Sequence, residues 1–276
     1  MPESSITVAL VTETFHDKDG PDRLTTRLQE AREKGARLAV LPELPLNPWS
    51  PATRTPREED AEEPDGPRER AQRQAAREAG IGLLGGIIVR DPADGRRYNE
   101  AILMDGSGEV IHRYRKLHLP QEEGFWEADH YDPGRTLAQP VSFHGLRFGV
   151  QICSDNNRPQ GSHLLGAGGA QAILAPRATP AETYQRWRLV LRANAVTSAC
   201  YVISVNRPGP EAGVEVGGAS LAIDPNGVVL AETLDPLTIV ELDGEAVARA
   251  KEGYPGYLDI RSDLYASGWS RLRNEG

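Results

Sequence analysis

Apolar and polar positions switch repeatedly between strand and helix periods over the first two thirds of the chain. Residues 6–12 form an apolar β-type run, and 22–34 has the leucine and charge spacing of an amphipathic helix. A second strand is predicted over 36–41, ending abruptly in Pro42-Glu43-Leu44-Pro45. Helix is expected over 70–79 and strand over 81–89. Residues 98–104 and 110–115 flank the turn Asp105-Gly106-Ser107-Gly108 and read as a hairpin. Strand 146–152 runs straight into Cys153, and a helix is expected beyond it. Strand at 170–174 then precedes a helix over 183–197 with Tyr184, Trp187 and Leu191 on one side. Further strands are predicted at 201–205, 219–223, 228–232 and 237–242.

Two stretches break the pattern. Residues 51–69, PATRTPREEDAEEPDGPRE, are rich in proline and charge with almost nothing to bury, so a long surface loop able to serve as a lid is expected. Residues 117–134 read mostly as loop. No repeat or Pro/Gly linker divides the chain. The expectation is one α/β domain over 1–276, with mixed sheets because the strands include hairpins.

Bulk properties narrow the classes of function. A net charge of −9 argues against general affinity for nucleic acid or anionic membranes. No apolar run approaches the ~20 residues of a membrane helix. The opening MPESSITVALVTET lacks the basic flank and cleavage site of a signal peptide, so a cytoplasmic location is expected. Cys153 and Cys200 would be reduced there. Neither cysteine sits in a paired metal pattern and the six histidines have no close metal-binding spacing, so neither metal nor cofactor is expected.

Three polar residues stand just beyond apolar strands: Glu43, Lys116 and Cys153. Ligand sites in α/β folds gather at the carboxyl ends of strands, where loops converge. A thiol of pKa ~8.5 needs a nearby base or cation to attack at neutral pH. Lys116 could stabilise a thiolate or a developing oxyanion. Glu43 could take the thiol proton, hand it to a leaving amine and later activate water. Each also has a plainer reading: a packed cysteine, a capping carboxylate, a solvated lysine. Spacing alone leaves both open.

The blocks VLPELPLNPW, YRKLHLP…FWEADHYDPG and FGVQICSD, in this order, resemble the three signature blocks of the nitrilase superfamily of carbon–nitrogen hydrolases. The likeness extends through YNEAILMDGSGEVIHRYRK, GGASLAIDPNGVVLAE and RSDLY, nearly the whole chain. It implies a four-layer α-β-β-α sandwich and a homodimer or larger assembly, with the tail from about 253 to 276 in dimer contacts. It also implies Glu43 as general base, Lys116 as oxyanion stabiliser and Cys153 as nucleophile. Glu127 is implied to lie in the active site and position lysine and substrate, with Glu122 and Glu123 as nearby competitors.

Departures from the family pattern bear on substrate. Ser154 stands where many relatives carry an aromatic residue, and Cys-Ser-Asp replaces the Cys-Trp-Glu of true nitrilases. The usual Arg-Phe-Pro-Glu is represented by Asn157-Arg158-Pro159-Gln160. Ser154, Asn156, Arg158 and Arg177 are candidate substrate-binding residues, the last three because they follow the strands nearest the nucleophile. The reading is an amidase acting on a small linear amide or N-carbamoyl compound, its blocks most similar to the N-carbamoyl amidases. The alternatives are a nitrilase, an acyl-transfer enzyme, or a non-catalytic relative.

Overall fold

The computed structural model describes residues 5–273. β1 (Ser5–Val11) leads through α1 (Gly20–Glu33) to β2 (Leu38–Val40). α2 (Pro67–Ala79) precedes β3 (Gly82–Arg90), β4 (Arg97–Met104) and β5 (Val110–Arg115). One helical turn, α3 (Glu127–His130), comes before β6 (Val141–Phe143) and β7 (Leu146–Val150). Then follow α4 (Pro159–Ala167), β8 (Ala172–Leu174), α5 (Tyr184–Ser198), β9 (Tyr201–Ser204), β10 (Ser220–Ile223) and β11 (Val229–Thr233). β12 (Leu237–Asp243), α6 (Gly244–Glu252) and α7 (Ser262–Arg273) complete the described chain.

The strands form two six-stranded sheets, in the orders β12-β1-β2-β3-β4-β5 and β11-β10-β9-β8-β7-β6. Both are mixed. β1, β2 and β3 run parallel between antiparallel neighbours, as do β7, β8 and β9. Alternation along each strand decides the layering. Ile6, Val8 and Leu10 of β1 share one core with Phe148, Val150, Leu174 and Ile203 of the second sheet. The opposite face, Ala9 and Val11, packs with Leu24 and Leu28 of α1 and Ala75 and Ala76 of α2. Ile173, Val202 and Leu221 meet Leu165 of α4 and Leu191 and Ala195 of α5. The result is the expected α-β-β-α sandwich, each buried leucine contributing roughly 1.5–3 kcal/mol.

Residues 51–69 depart from the expected surface loop. They contain a 3-10 turn at Glu58–Asp60 and a bridge from Glu62 to Val89, and α2 begins at Pro67, three residues before the expected start. Asp60, Glu62 and Glu69 are buried. Arg57 reaches Asp60 at 2.9 Å and Arg113 reaches Glu69 at 2.6 Å. Carboxylates leave water when a paired cation satisfies them, which hydropathy alone does not register. Beyond Cys153 the chain first makes a 3-10 turn, Cys153–Asn157, and α4 starts only at Pro159. The short β6 and the helices α6 and α7 carried no sequence expectation.

The glycines of α4 serve packing inside the chain. A Cβ on Gly166 would come 2.4 Å from Ser198 O, and one on Gly161 2.3 Å from Gln151 Nε2. Their smallness therefore accommodates α5 and the strand-end loop.

Candidate active site

Three chain segments leave their strands at the same end of the sandwich and turn inward. Glu43 follows β2, Lys116 follows β5 directly, and Cys153 follows β7. Two turns there are left-handed without glycine: Leu44 at φ 49° and Cys153 at φ 46°. Such conformations cost on the order of 1–3 kcal/mol and persist where surroundings fix them. Arg207, fully buried, donates to Glu43 O at 2.9 Å and Leu44 O at 2.8 Å. Cys153 N–H donates to Pro176 O at 2.8 Å.

The charged groups meet in a dry cluster. Glu43, Lys116, Glu127 and Cys153 are 2%, 1%, 0% and 3% exposed. Lys116 Nζ donates to Glu43 Oε1 at 2.7 Å and to both oxygens of Glu127, at 2.6 and 2.7 Å. Asn99 Nδ2 also donates to Glu43 Oε1, at 2.7 Å. Glu43 Oε2 is buried and has no hydrogen-bond partner. Two carboxylates against one ammonium set the electrostatics. Burial alone would lower the Lys116 pKa, but Glu127 and Glu43 carry it well above its ordinary value. Burial, reinforced by Glu43 and only partly opposed by Lys116, lifts Glu127 to about 8. Burial and Glu43 likewise push the Cys153 thiol well up, against the pull of Lys116. That direction favours a neutral thiol at rest, and its Sγ lies 3.7 Å from Ala178 O.

A cleft of about 270 Å³ reaches Cys153 from solvent, lined among others by Ser154, Phe125, Thr179, Arg186 and Trp187. Glu43, Lys116 and Glu127 do not line it. An apolar cluster that includes Leu44, Trp49, Phe125, Tyr131 and Val216 packs beside them, and Trp49 Nε1 donates to Gly124 O at 2.9 Å. This packing keeps the lysine–carboxylate contacts in a low-dielectric setting.

The residues expected at the site are only partly brought together. Glu43, Lys116, Cys153 and Glu127 form one group, and Ser154 lines the cleft with its hydroxyl donating to His118 O. Asn156 is buried, its amide donating to Gln151 O and Cys153 O. Arg177 is buried too, donating to Ser204 Oγ at 2.9 Å, Thr179 Oγ1 at 2.5 Å and Ala219 O. That burial lowers its pKa to about 10. Arg158 lines a separate cavity of about 480 Å³ with Leu137, Leu164 and Trp269. None of these last three lines the Cys153 cleft. Glu122 does line it, while Glu123 is exposed outside it.

Two contributors went unread in the sequence. Asn99, interior to β4, offers only a polar residue within an apolar strand as a signal. Asp155, two residues after Cys153, accepts from Leu117 N at 3.2 Å, His118 N at 3.0 Å, Tyr114 Oη at 2.8 Å and Ile152 N at 3.3 Å. One carboxylate thereby ties the segment after Lys116 to the turn that carries Cys153. Among the described residues, no cluster of three or more His, Cys, Asp or Glu is arranged to hold a metal ion. No described helix is long and apolar enough to cross a membrane.

A family model described as carbon-nitrogen hydrolase matches residues 12–252. Over 277 aligned residues the chain is 31% identical to the deaminated glutathione amidase of Mus musculus, covering 95% of this chain and 84% of that protein. It superposes on Saccharomyces cerevisiae Nit3, a member of branch 10 of the nitrilase superfamily, with a TM-score of 0.81. Identity is 27%, over 94% of this chain and 96% of that one. A variant of an amidase from Nesterenkonia sp. AN1 gives a TM-score of 0.78 at 26% identity, covering 96% and 98% of the two chains. In that variant the acetamide moiety of fluoroacetamide is added covalently at the active-site cysteine. With its sandwich and most of its length matched in this way, the chain belongs to the carbon-nitrogen hydrolase family of the nitrilase superfamily, and it is a hydrolase of amide-type carbon–nitrogen bonds.

Proposed function

We propose that the protein hydrolyses a small linear amide through a thioester on Cys153, with Glu43 as base, Lys116 as oxyanion stabiliser and Glu127 as the group that holds Lys116. The observation that carries this reading is the free Oε2 of Glu43. It is a buried carboxylate oxygen without a partner, beside a lysine and within electrostatic range of a thiol.

Because the thiol rests neutral, attack and proton transfer go together. Glu43 takes the proton as Sγ bonds to the amide carbon. The carbonyl oxygen becomes negative, and Lys116 directs an N–H to it while Glu127 retains another. Ser154 N–H, in the first turn of the short 3-10 helix, supplements it. Collapse breaks the C–N bond, and the Glu43 proton leaves with the amine, which departs as ammonia from a primary amide. Water then loses a proton to Glu43 and attacks the thioester, and the second collapse returns that proton to sulfur and releases the acid. The sum is amide plus water to carboxylic acid plus ammonia. An N-carbamoyl compound would pass through the same steps and yield carbon dioxide as well.

The name of the mouse relative and the cysteine adduct of the Nesterenkonia amidase support an amide substrate over a nitrile. An ammonia-release screen over primary amides, N-carbamoyl compounds and nitriles tests it, with Cys153→Ala as the blank. Amides turned over by the wild type alone are the expected result. Faster acid formation from nitriles than from the matching amides would overturn it.

We also propose a homodimer and a cytoplasmic setting. Leu164 on α4, Leu189 on α5, and Tyr257, Leu258, Tyr265 and Trp269 in the tail are exposed apolar side chains. A second copy covering them would remove that surface from water. Both cysteines are free and buried, which suits a reducing compartment.

A further inference from the structure

We propose that Arg186 selects amides whose acyl chain ends in a carboxylate, by pairing with that carboxylate at the wall of the Cys153 cleft. This builds on the cysteine-dependent amide hydrolysis proposed above.

Arg186 and Cys153 line the same cleft. The Arg186 side chain is exposed, and no hydrogen bond, ion pair or ring contact engages it among the described residues. Its neighbours on α5 are committed elsewhere: Arg188 pairs with Glu232 at 3.0 Å, and Arg192 donates to Gly227 O at 2.8 Å. In a chain with 40 acidic and 31 basic residues, an arginine on a cleft wall with no carboxylate paired to it among the described residues is conspicuous.

Helix stability does not account for the position. Arg186 lies in the first turn of α5, where the helix dipole disfavours a cation. Nor does packing account for it, because Trp187 is the buried member of that turn. What the position provides is a permanently charged, planar donor fork, suited to a carboxylate in two parallel hydrogen bonds. The cleft's volume admits a short chain between the reacting carbon and that fork.

Glu122 is the carboxylate on the cleft wall. It repels an incoming anion, so a substrate carboxylate held in this cleft is held by Arg186. It also defines the rival outcome, selection of a substrate ammonium.

The test compares three primary amides of equal chain length, ending in a carboxylate, a methyl group or an ammonium. Values of kcat and KM are measured for wild type, Arg186→Gln and Arg186→Glu, with folding checked by circular dichroism. The wild type should favour the carboxylate over the methyl compound by about tenfold or more in kcat/KM, the size of one charge-assisted hydrogen bond. Arg186→Gln should erase that ratio chiefly through KM, and Arg186→Glu should invert it. Turnover without a carboxylate preference, a preference for the ammonium, or an unchanged ratio in both variants would overturn the assignment of Arg186 alone. Ammonia from none of the three amides would overturn the hydrolytic reading and this one with it.

Discussion

Lys116 Nζ lies 2.6 Å from Glu127 Oε1 and 2.7 Å from Glu127 Oε2, with both side chains entirely out of water. An ammonium gripped this way has a fixed direction. Glu127→Gln replaces one of the two oxygens that hold it with an NH2 while preserving shape. Turnover is expected to fall by roughly 10²-fold or more, the usual cost of losing an aimed electrostatic group. Circular dichroism and the rate of Cys153 alkylation should report an intact fold and an accessible thiol. Glu123→Gln, on an exposed carboxylate outside the cleft, is the control and should be near neutral. A normal kcat in Glu127→Gln would remove Glu127 from the working group.

The same residue gives a pH dependence of stability. Glu127 is held at about 8 in the fold by burial and by Glu43, against about 4.3 in an unfolded chain. Between those values the folded state binds more protons, so this group's contribution is full below about pH 4.3 and is lost as pH rises toward 8. Wild type should lose Tm between about pH 5 and 8, and Glu127→Gln should lose several degrees less, at about 2–4 °C per kcal/mol for a chain of this size. Equal slopes for the two proteins would exclude Glu127 as the source.

Cys153→Ala should abolish ammonia release, and Cys200→Ala should leave kcat in place. Cys200 sits in the α4–α5 core with its thiol donating to Ala170 O and Ser198 O at 3.2 Å, far from the cleft. Truncating it lowers Tm by a packing cost of about 1 kcal/mol. Iodoacetamide should inactivate the wild type, while chelators should leave it active. Equal loss of kcat in both cysteine variants, each folded, would leave the nucleophile unassigned.

Asp155 acts through others. It holds Leu117 N, His118 N, Tyr114 Oη and Ile152 N at once, so it sets the distance between the lysine and cysteine segments. Asp155→Asn places an amide against several donors and leaves them short of acceptors. kcat is expected to drop at least about tenfold with KM little changed, since positioning errors act on the reacting geometry. Slower Cys153 alkylation would mark the displaced turn. A variant with lower Tm but unaltered kcat would show a structural role only.

The proposed dimer is checked by sedimentation. The wild type should run at twice the chain mass at micromolar concentration, and Trp269→Asp with Tyr265→Asp should shift it to the single chain, because both are exposed apolar residues of α7. A single-chain species in the wild type would exclude the pairing.

Through its resemblance to the nitrilase superfamily the sequence already pointed to the sandwich and to Glu43, Lys116, Cys153 and Glu127. Strand alternation fixes which side chains face each sheet, as Ile6, Val8 and Leu10 do. Local chemistry after a strand is likewise written in order, so Glu43, Lys116 and Cys153 can be grouped from the sequence. Only the tertiary structure decided what long-range partners do. Asp60, Glu62 and Glu69 read as loop charges until Arg57, Arg68 and Arg113 reach them. Arg177, which follows a strand near the nucleophile, spends its donors on Ser204, Thr179 and Ala219, whereas Arg186, a surface-like position in a helix, opens onto the cleft. Periodicity gives the face of an element. Whether a polar side chain on that face is satisfied by the protein or left for a ligand depends on groups far away in sequence, and folding alone brings them within hydrogen-bond distance.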